Sequence, residues 1–439
     1  MADVEIMDKI LKDKPNLVIC PDSSSGDFKQ HKILKDNGIK CIILDHHPCD
    51  KYSKNAIVVN NKLSPKVVNK EGSGCLVSWT FLKYLDKQLG YNYAPTMIDV
   101  VYFSLLADSC DMSSMENNSF AYYGRNFITN KLLVQTCELL TAKEINSAVI
   151  LWEVIPKLSA IIRSTNDEVK EALFYALATE EQKYIDVVLS KCKSIHSAQN
   201  KVVKTYVNNH IDDVDSTKNI IFERADDICA SYRGLVASRY VNTFNRPVLL
   251  YRKSDDEYIG SIRSNIPIKQ ILKDSGVFTF IAGHDAACAC GFTEAMIPQI
   301  EQYISTLDID TSEQVCYSYK ANSIPKSLFV ECDKLLNHYA KGVENPRFHI
   351  CDIVLNGKDI LQLGKYGTTI KFTINGISYS KQFCSKVWKA ENYIGENQML
   401  SLEIIGAFEL YNNQPNINIE KMETTVIVVE PKELVWENL

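Results

Sequence analysis

No apolar run in the chain reaches membrane-spanning length, so a transmembrane helix is excluded as its organising element. Paired cysteines at metal-binding spacing are missing too. The fourteen cysteines are scattered over 439 residues, and the closest pair, Cys288-Ala289-Cys290, sits inside an apolar run. Most are expected to be buried reduced thiols, as in a cytoplasmic protein. Met1 to Asp13 is amphipathic with mixed charge, unlike a secretory signal. Excess positive charge is also lacking. With a net charge of -6 there is no global attraction to nucleic acid, so any phosphate contact must come from a local patch. Histidine is scarce, with eight in the chain, and two of them are adjacent.

Those two histidines end the stretch Cys41-Ile42-Ile43-Leu44-Asp45-His46-His47-Pro48. Four apolar residues make a short buried strand, and Pro48 stops it. Upstream, Asn16-Leu17-Val18-Ile19-Cys20 is a second short strand, followed by Pro21-Asp22-Ser23-Ser24-Ser25-Gly26. Asp27 to Asp36 reads as a helix, stopped by Asn37-Gly38. Strand, helix, strand at this spacing is a parallel βαβ unit with a right-handed crossover. Both strand ends then face one edge of the sheet, where open α/β sheets bind ligands. Asp22 is therefore expected beside Asp45, His46 and His47, as a metal site in outline.

Further along, Cys75 to Leu89 reads as an apolar helix closed by Gly90. Pro95 opens another that runs to Ala107 and ends at Asp108. A carboxylate there opposes the helix dipole, so a positive group must compensate it. Residues 131 to 213 keep helical periodicity with few breakers. From 219 to 308, strands alternate with helices, and the run of small residues after His284 has the composition of a phosphate cradle. Residues 313 to 439 carry a helix, Lys326 to Tyr339, and several short strands, with Asn375-Gly376 as a hairpin turn. The last strand is expected over Thr424 to Val429. Lys365, Tyr366, Lys371, Phe372, Lys381, Phe383, Lys386, Trp388 and Lys389 interleave basic and aromatic residues, as a single-strand stacking groove does.

The Asp-His-His triplet, with Asp22 one βα unit upstream, resembles the DHH phosphoesterases, and among them the RecJ single-strand-specific exonucleases. Further stretches match RecJ in order: Gly72-Ser73-Gly74-Cys75, Leu105-Leu106-Ala107-Asp108, Glu116-Asn117, Ile155 to Ala160, Gly234 to Arg239, Gly260 to Ser264, Gly283 to Ala287 and Glu344-Asn345-Pro346. The resemblance implies an α/β chain. Its parts are a partial DHH parallel-sheet domain (1–130), a helical connector (131–213), a smaller DHH-associated α/β domain (214–312) and a linker helix with an OB-like β-barrel (313–439). It also implies Mn²⁺, or Mg²⁺, held by Asp22, His46 and Asp108. His47 would meet the phosphate, with Asp45 orienting its neighbour. Arg263, His284, Gly283 and Arg163 would bind substrate, and Tyr366, Phe383 and Trp388 would stack bases. The implied activity is 5′ to 3′ hydrolysis of single-stranded DNA.

Two departures stand out. Lys157 and Ser159 occupy positions where RecJ proteins usually carry Arg and Asn, although Arg163 is kept. The Asp-x-Asp strand that precedes the Asp22 equivalent in RecJ has no counterpart in the first twenty-one residues, where Asp3, Asp8 and Asp13 have helical spacing. Tight binding of at most one ion is therefore expected, together with an open or helix-covered edge on the Asn16 to Cys20 strand. A separate segment or protein is a candidate to complete the site. The alternatives are a catalytically impaired nucleic-acid-binding scaffold and an oligonucleotide or small-molecule phosphodiesterase.

Overall fold

The computed structural model describes residues 4–139, 145–309, 317–363, 367–382, 384, 388–392 and 394–427. Two compact units divide the chain, Met1–Ser312 and Glu313–Leu439. No helix among the described residues is long and apolar enough to cross a membrane.

The first unit opens with α1 (Val4–Asp13), β1 (Leu17–Pro21), α2 (Phe28–Asp36), β2 (Lys40–Asp45) and β3 (Ile57–Asn60). The three strands pair in parallel in the order β1-β2-β3, with Leu17 opposite Lys40 and Asp45 opposite Asn60. Gly38 takes a positive φ of 75° after α2, a conformation that costs glycine little. On one face, Val18 and Cys20 of β1 pack with Met7, Ile10 and Leu11 of α1 and with Leu34 of α2. Leu17 and Ile19 point the other way and are 42% and 49% exposed. The outer edge of β1 is unpaired among the described residues, so α1 covers a face of this strand and not its edge.

His31 of α2 is fully buried. Burial lowers its pKa, against weaker upward pulls from Asp27 and from a hydrogen bond with the Ser24 backbone. A depressed histidine pKa means that the unfolded chain binds the extra proton first. Stability is therefore full above the unfolded pKa and is lost as pH falls through it toward the folded value. Urea midpoints at about pH 7.5 and 5.5 should differ less in His31→Leu than in the parent, and an equal difference would show that His31 takes up its proton without cost.

Helices then build the floor of the unit: α3 (Gly74–Leu89), α4 (Ile98–Ala107), α5 (Met115–Asn126) and α6 (Lys131–Glu138). A short turn, α7 (Ser147–Val149), runs through a π-helical turn (Ile150–Val154) into α8 (Ile155–Arg163). The helices α9 (Asp167–Thr179) and α10 (Gln182–His210) follow, and α10 is about 44 Å long. Leu132, Ile161, Leu173, Ile185 and Val188 form their shared core.

A five-stranded sheet completes the unit in the order β4-β5-β6-β8-β7. Its strands are β4 (Ile221–Arg224), β5 (Val248–Ser254), β6 (Glu257–Arg263), β7 (Phe280–His284) and β8 (Ala287–Phe292), with α11 (Ala230–Phe244), α12 (Lys269–Asp274) and α13 (Ile297–Thr306). The small-residue run after His284 is β8, an interior strand, and not a phosphate cradle. Its cysteines lie in the core, and Gly291 leaves room for the Phe280 ring, which a Cβ would strike.

The second unit has β9 (Tyr317–Lys320), α14 (Lys326–Leu335), β10 (Arg347–Asn356), β11 (Leu361–Leu363), β12 (Thr369–Ile374), β13 (Ile377–Lys381), α15 (Trp388–Glu391), β14 (Met399–Tyr411) and β15 (Gln414–Val426). Its sheet has the order β11-β12-β13-β15-β14-β10-β9 and is OB-like, but among the described residues its two edges do not close into a barrel. Asn375 and Gly376 both have positive φ, as the turn signal requires. The last strand begins at Gln414, ten residues before the expected Thr424. Trp388 packs against the core of this unit, which argues against a free stacking role. Tyr366 and Phe383 lie outside the described residues.

Candidate metal and phosphate site

Parallel pairing puts the ends of β1, β2 and β3 on one edge, and each ends in a polar group: Asp22, Asp45-His46-His47 and Asn60. Asp22 donates its N–H to Leu44 O at 2.7 Å and has a positive φ of 56°, so the chain turns sharply as it leaves β1. Its side chain lies over the first turn of α3. Ser73 caps that helix by accepting from Leu76 N, and a Cβ on Gly74 would collide with the Asp22 carboxylate. Gly74 is thus needed for the close approach of α3, whose N-terminus favours the negative charge of Asp22.

His46 is nearly enclosed, at 2% exposure. Its Nδ1 faces Gly72 O at 2.9 Å, and because a carbonyl only accepts, Nδ1 carries the proton. Nε2 is left facing Asp22 Oδ1 at 3.1 Å and Asp108 Oδ2 at 3.3 Å. Two carboxylate oxygens at that nitrogen call for positive charge there, as a proton on the ring or as a cation shared among them. The donor set of one imidazole and two carboxylates fits a divalent ion of the Mn²⁺ or Mg²⁺ type.

Asp108 caps the C-terminus of α4, and His284 Nε2 approaches its other oxygen at 3.4 Å. Burial would raise the Asp108 pKa, but the His284 contact and the charges of His46, His284 and His47 outweigh it and hold the carboxyl below its ordinary value. The compensation expected at this helix end is thus supplied by imidazoles. Rings of His46, His47 and His284 lie together, with centroids 4.6 to 5.4 Å apart.

Asp45 has a different job. Its Oδ1 accepts from His46 N at 2.8 Å, His47 N at 3.2 Å and His47 Nδ1 at 2.8 Å, while Oδ2 accepts from Ser25 N at 3.0 Å. Burial would raise its pKa, but the bonds from His47 and Ser25 prevail and hold it far below the carboxylate range. The same bond raises the His47 pKa against burial, helped by the charges of Asp45, Asp22 and Asp108. With Nδ1 held by Asp45, His47 keeps Nε2 for the site.

Substrate-side residues come from the five-stranded sheet. Arg263, Ala287 and His284 are direct cross-strand partners on β6, β8 and β7, so their side chains share one face of the sheet. Gly283 has φ 118°, and a Cβ there would strike Ala287 O and Cys288, so only glycine fits before His284. Its carbonyl is bonded by Lys269 Nζ. Arg263 abuts Gly234 and donates to Ile262 O. Burial lowers its pKa, as does the charge of Arg163, and burial alone lowers that of Arg163. Neither guanidinium has a carboxylate partner among the described residues, an arrangement suited to a shared anion.

Reading the sequence passed over Asn60. It is 2% exposed, and its Nδ2 donates to Ser25 Oγ and to His47 O, both at 2.9 Å. Its Oδ1 accepts from Lys62 N and Leu63 N. Asn60 thus clamps both neighbouring loops, and the available signal was a polar residue ending a third parallel strand.

No family model matches the chain. It is 28% identical, over 97% of its own length and 81% of the other's, to a Bacillus subtilis (strain 168) protein named as the SPbeta prophage-derived single-strand DNA-specific exonuclease YorK. The crystal structure of RecJ with Mn²⁺ from Thermus thermophilus superposes with a TM-score of 0.76 at 18% identity, covering 96% of this chain. The fold of the chain is similar to that of RecJ. The chain spans 63% of the length of that RecJ chain. The Mg²⁺ complex of RecJ from the same source gives a TM-score of 0.66 at 15% identity, over 94% of this chain and 68% of the other.

Proposed function

We propose that the chain is a divalent-metal-dependent exonuclease that hydrolyses phosphodiesters of single-stranded DNA, with 5′ to 3′ polarity by its resemblance to RecJ. The observation that carries this reading is His46 Nε2 facing two carboxylates beside two further imidazoles. Asp22, His46 and Asp108 would hold the ion, Mn²⁺ or Mg²⁺, which polarises a phosphoryl oxygen and supplies hydroxide at neutral pH. His47, fixed by Asp45, can donate a hydrogen bond to a phosphate oxygen, and His284 faces the same space. Arg263 and Arg163 supply the positive charge that the chain lacks overall.

End-labelled single strands and duplexes, incubated with the chain with and without Mn²⁺, test the activity. Mn²⁺-dependent release of nucleotides from single strands is expected. Metal-independent cleavage, or none, would overturn it. The unpaired outer edge of β1 supports a further element of the reading, that a strand from another segment or protein completes this sheet.

The arginine pair makes a separate prediction. In EDTA, Arg263→Ala should weaken single-strand binding at low salt and reduce the slope of log affinity against log salt by about 0.7. An unchanged slope would remove Arg263 from the phosphate contacts.

A further inference from the structure

The five-stranded sheet is covered on both faces at β5 but not at its β8-β7 end. On one face α11 packs on β5 and β6: Val236, Ala237 and Tyr240 lie against Val248 and Leu250, and Arg233 donates to Ile259 O. Further out this face opens. Ala282 of β7 is exposed, and Ala287 and Ala289 of β8 are half-buried. Phe278 and Ile281 pack against the core of the opposite face, with Cys288 and Cys290. Phe280 does not join them and is 41% exposed.

Cross-strand pairing fixes what shares the open face. Arg263, Ala287 and His284 form one row; the next is Ser261, Ala289 and Ala282, and the third is Ile259, Gly291 and Phe280. Phe280 therefore stands on the same face as Arg263 and His284, about 13 Å from His284 along β7. Its ring is seated on the sheet, because a Cβ on Gly291 would collide with the ring's Cδ1 and Cε1. The exposed part of the ring then faces away from Gly291. An exposed phenylalanine alone carries no meaning. This one is separated from a phosphate-binding row by Ala282, Ala287 and Ala289, whose side chains are single methyl groups. Positive charge at one end of an open face and a seated ring at the other match a single strand, which offers phosphates and flat base faces together. The separation equals about four nucleotides of a stacked strand and fewer of an extended one.

We infer that Phe280 is a base-stacking residue. The strand whose phosphate lies at Arg263 and His284 continues over Ala287, Ala289 and Ala282, and one of its bases lies against the Phe280 ring. The identity of the ligand rests on the nuclease reading; the place of the ring on that face does not. Every base has a π-face, so this contact adds affinity and does not select sequence. It acts on one nucleotide at a fixed distance from the phosphate row.

Fluorescence anisotropy of the full chain in EDTA, with a labelled single strand of about twelve nucleotides, tests this without turnover. Phe280→Ala should weaken binding about tenfold. Phe280→Trp should bind at least as tightly as the parent, and Phe280→Leu, apolar but without a π-face, should be as weak as Phe280→Ala. Ala282→Glu, at the exposed position between the ring and His284, puts a carboxylate in the strand's path and should also weaken binding. An abasic residue, moved along the strand, should cost the parent about tenfold at one position counted from the strand's end and cost Phe280→Ala nothing there. Unchanged affinity of Phe280→Ala or Ala282→Glu, full affinity of Phe280→Leu, or the same abasic profile in parent and Phe280→Ala would each overturn the stacking role. So would a parent that binds no single strand. A chain whose binding depends on Phe280 but which, given Mn²⁺, cleaves no strand keeps the stacking role and loses the nuclease reading. One that cleaves strands and binds them equally without the ring keeps the nuclease and loses the stacking role.

Discussion

A His46→Ala chain should take up no Mn²⁺ at concentrations that saturate the parent, and its hydrolysis of single strands should fall by about 10³-fold. His46 Nε2 stands between Asp22 Oδ1 and Asp108 Oδ2, and without it the two carboxylates have no nitrogen donor between them. His46 also touches the rings of His47 and His284, so the loss of binding must be separated from a loss of packing. His47→Ala provides that control. Its Nδ1 is committed to Asp45, and its role in the proposed reaction lies toward the phosphate. Mn²⁺ affinity of His47→Ala, read by calorimetry or by the spin resonance of the free ion, should stay within about threefold of the parent while turnover falls. Equal losses of Mn²⁺ affinity in both variants would show that the histidines act as one packed unit, and undiminished affinity in His46→Ala would remove it from the metal set.

Why Asp22 and His46 could be paired from sequence, and Asp108 only provisionally, follows from topology. Two short apolar strands around one helix admit a parallel crossover, and that crossover puts both strand ends on one edge. Asn37-Gly38 marked the end of the intervening helix, and the observed positive φ of Gly38 is the physical content of that signal. Asp108 announced itself as a carboxylate at the wrong end of a helix, but sequence does not say which cation answers it. The answer includes His284, which follows it by 176 positions and reaches it only because β7 folds back within the same unit. Such a contact leaves no local pattern.

The failures have equally specific causes. Ala287 to Phe292 lacks the alternation of a half-buried strand because it lies inside a sheet and its small residues make room for neighbouring rings. Most of β15 is polar, with Asn416, Asn418, Glu420 and Lys421 among its residues, and it is a strand because β14 pairs along its length. Its turn uses Asn412 and Asn413, both at positive φ, which is a weaker written signal than Asn-Gly. Trp388 looked like a stacking platform by composition. It is partly buried against the core of its unit, because basic and aromatic residues interleave on any amphipathic surface and only packing decides which face turns inward.

Calorimetry should count one tight Mn²⁺ per chain. Around His46 the described carboxylates are Asp22, Asp45 and Asp108, and they are not equivalent. Asp22 and Asp108 each aim an oxygen at His46 Nε2. Asp45 is 1% exposed, and its two oxygens already accept from Ser25 N, His46 N, His47 N and His47 Nδ1. Those bonds keep its carboxyl ionised against burial, and a metal drawn to it would have to displace the group that fixes His47. Two candidate donor sets, His46-His47-His284 and Asp22-Asp45-His47, both include His47, whose Nδ1 is bound to Asp45. A second ion would therefore compete for the same imidazole while lacking a free carboxylate of its own. Two-metal hydrolysis needs both ions, clamping the attacking and the leaving oxygen. With one tight ion, turnover by the chain alone should be slow and should rise with Mn²⁺ well beyond the concentration that fills the first site. Two ions of comparable affinity would show that carboxylates other than Asp22 and Asp108 enter the site, and would end the assignment of Asp45 as an orienting group.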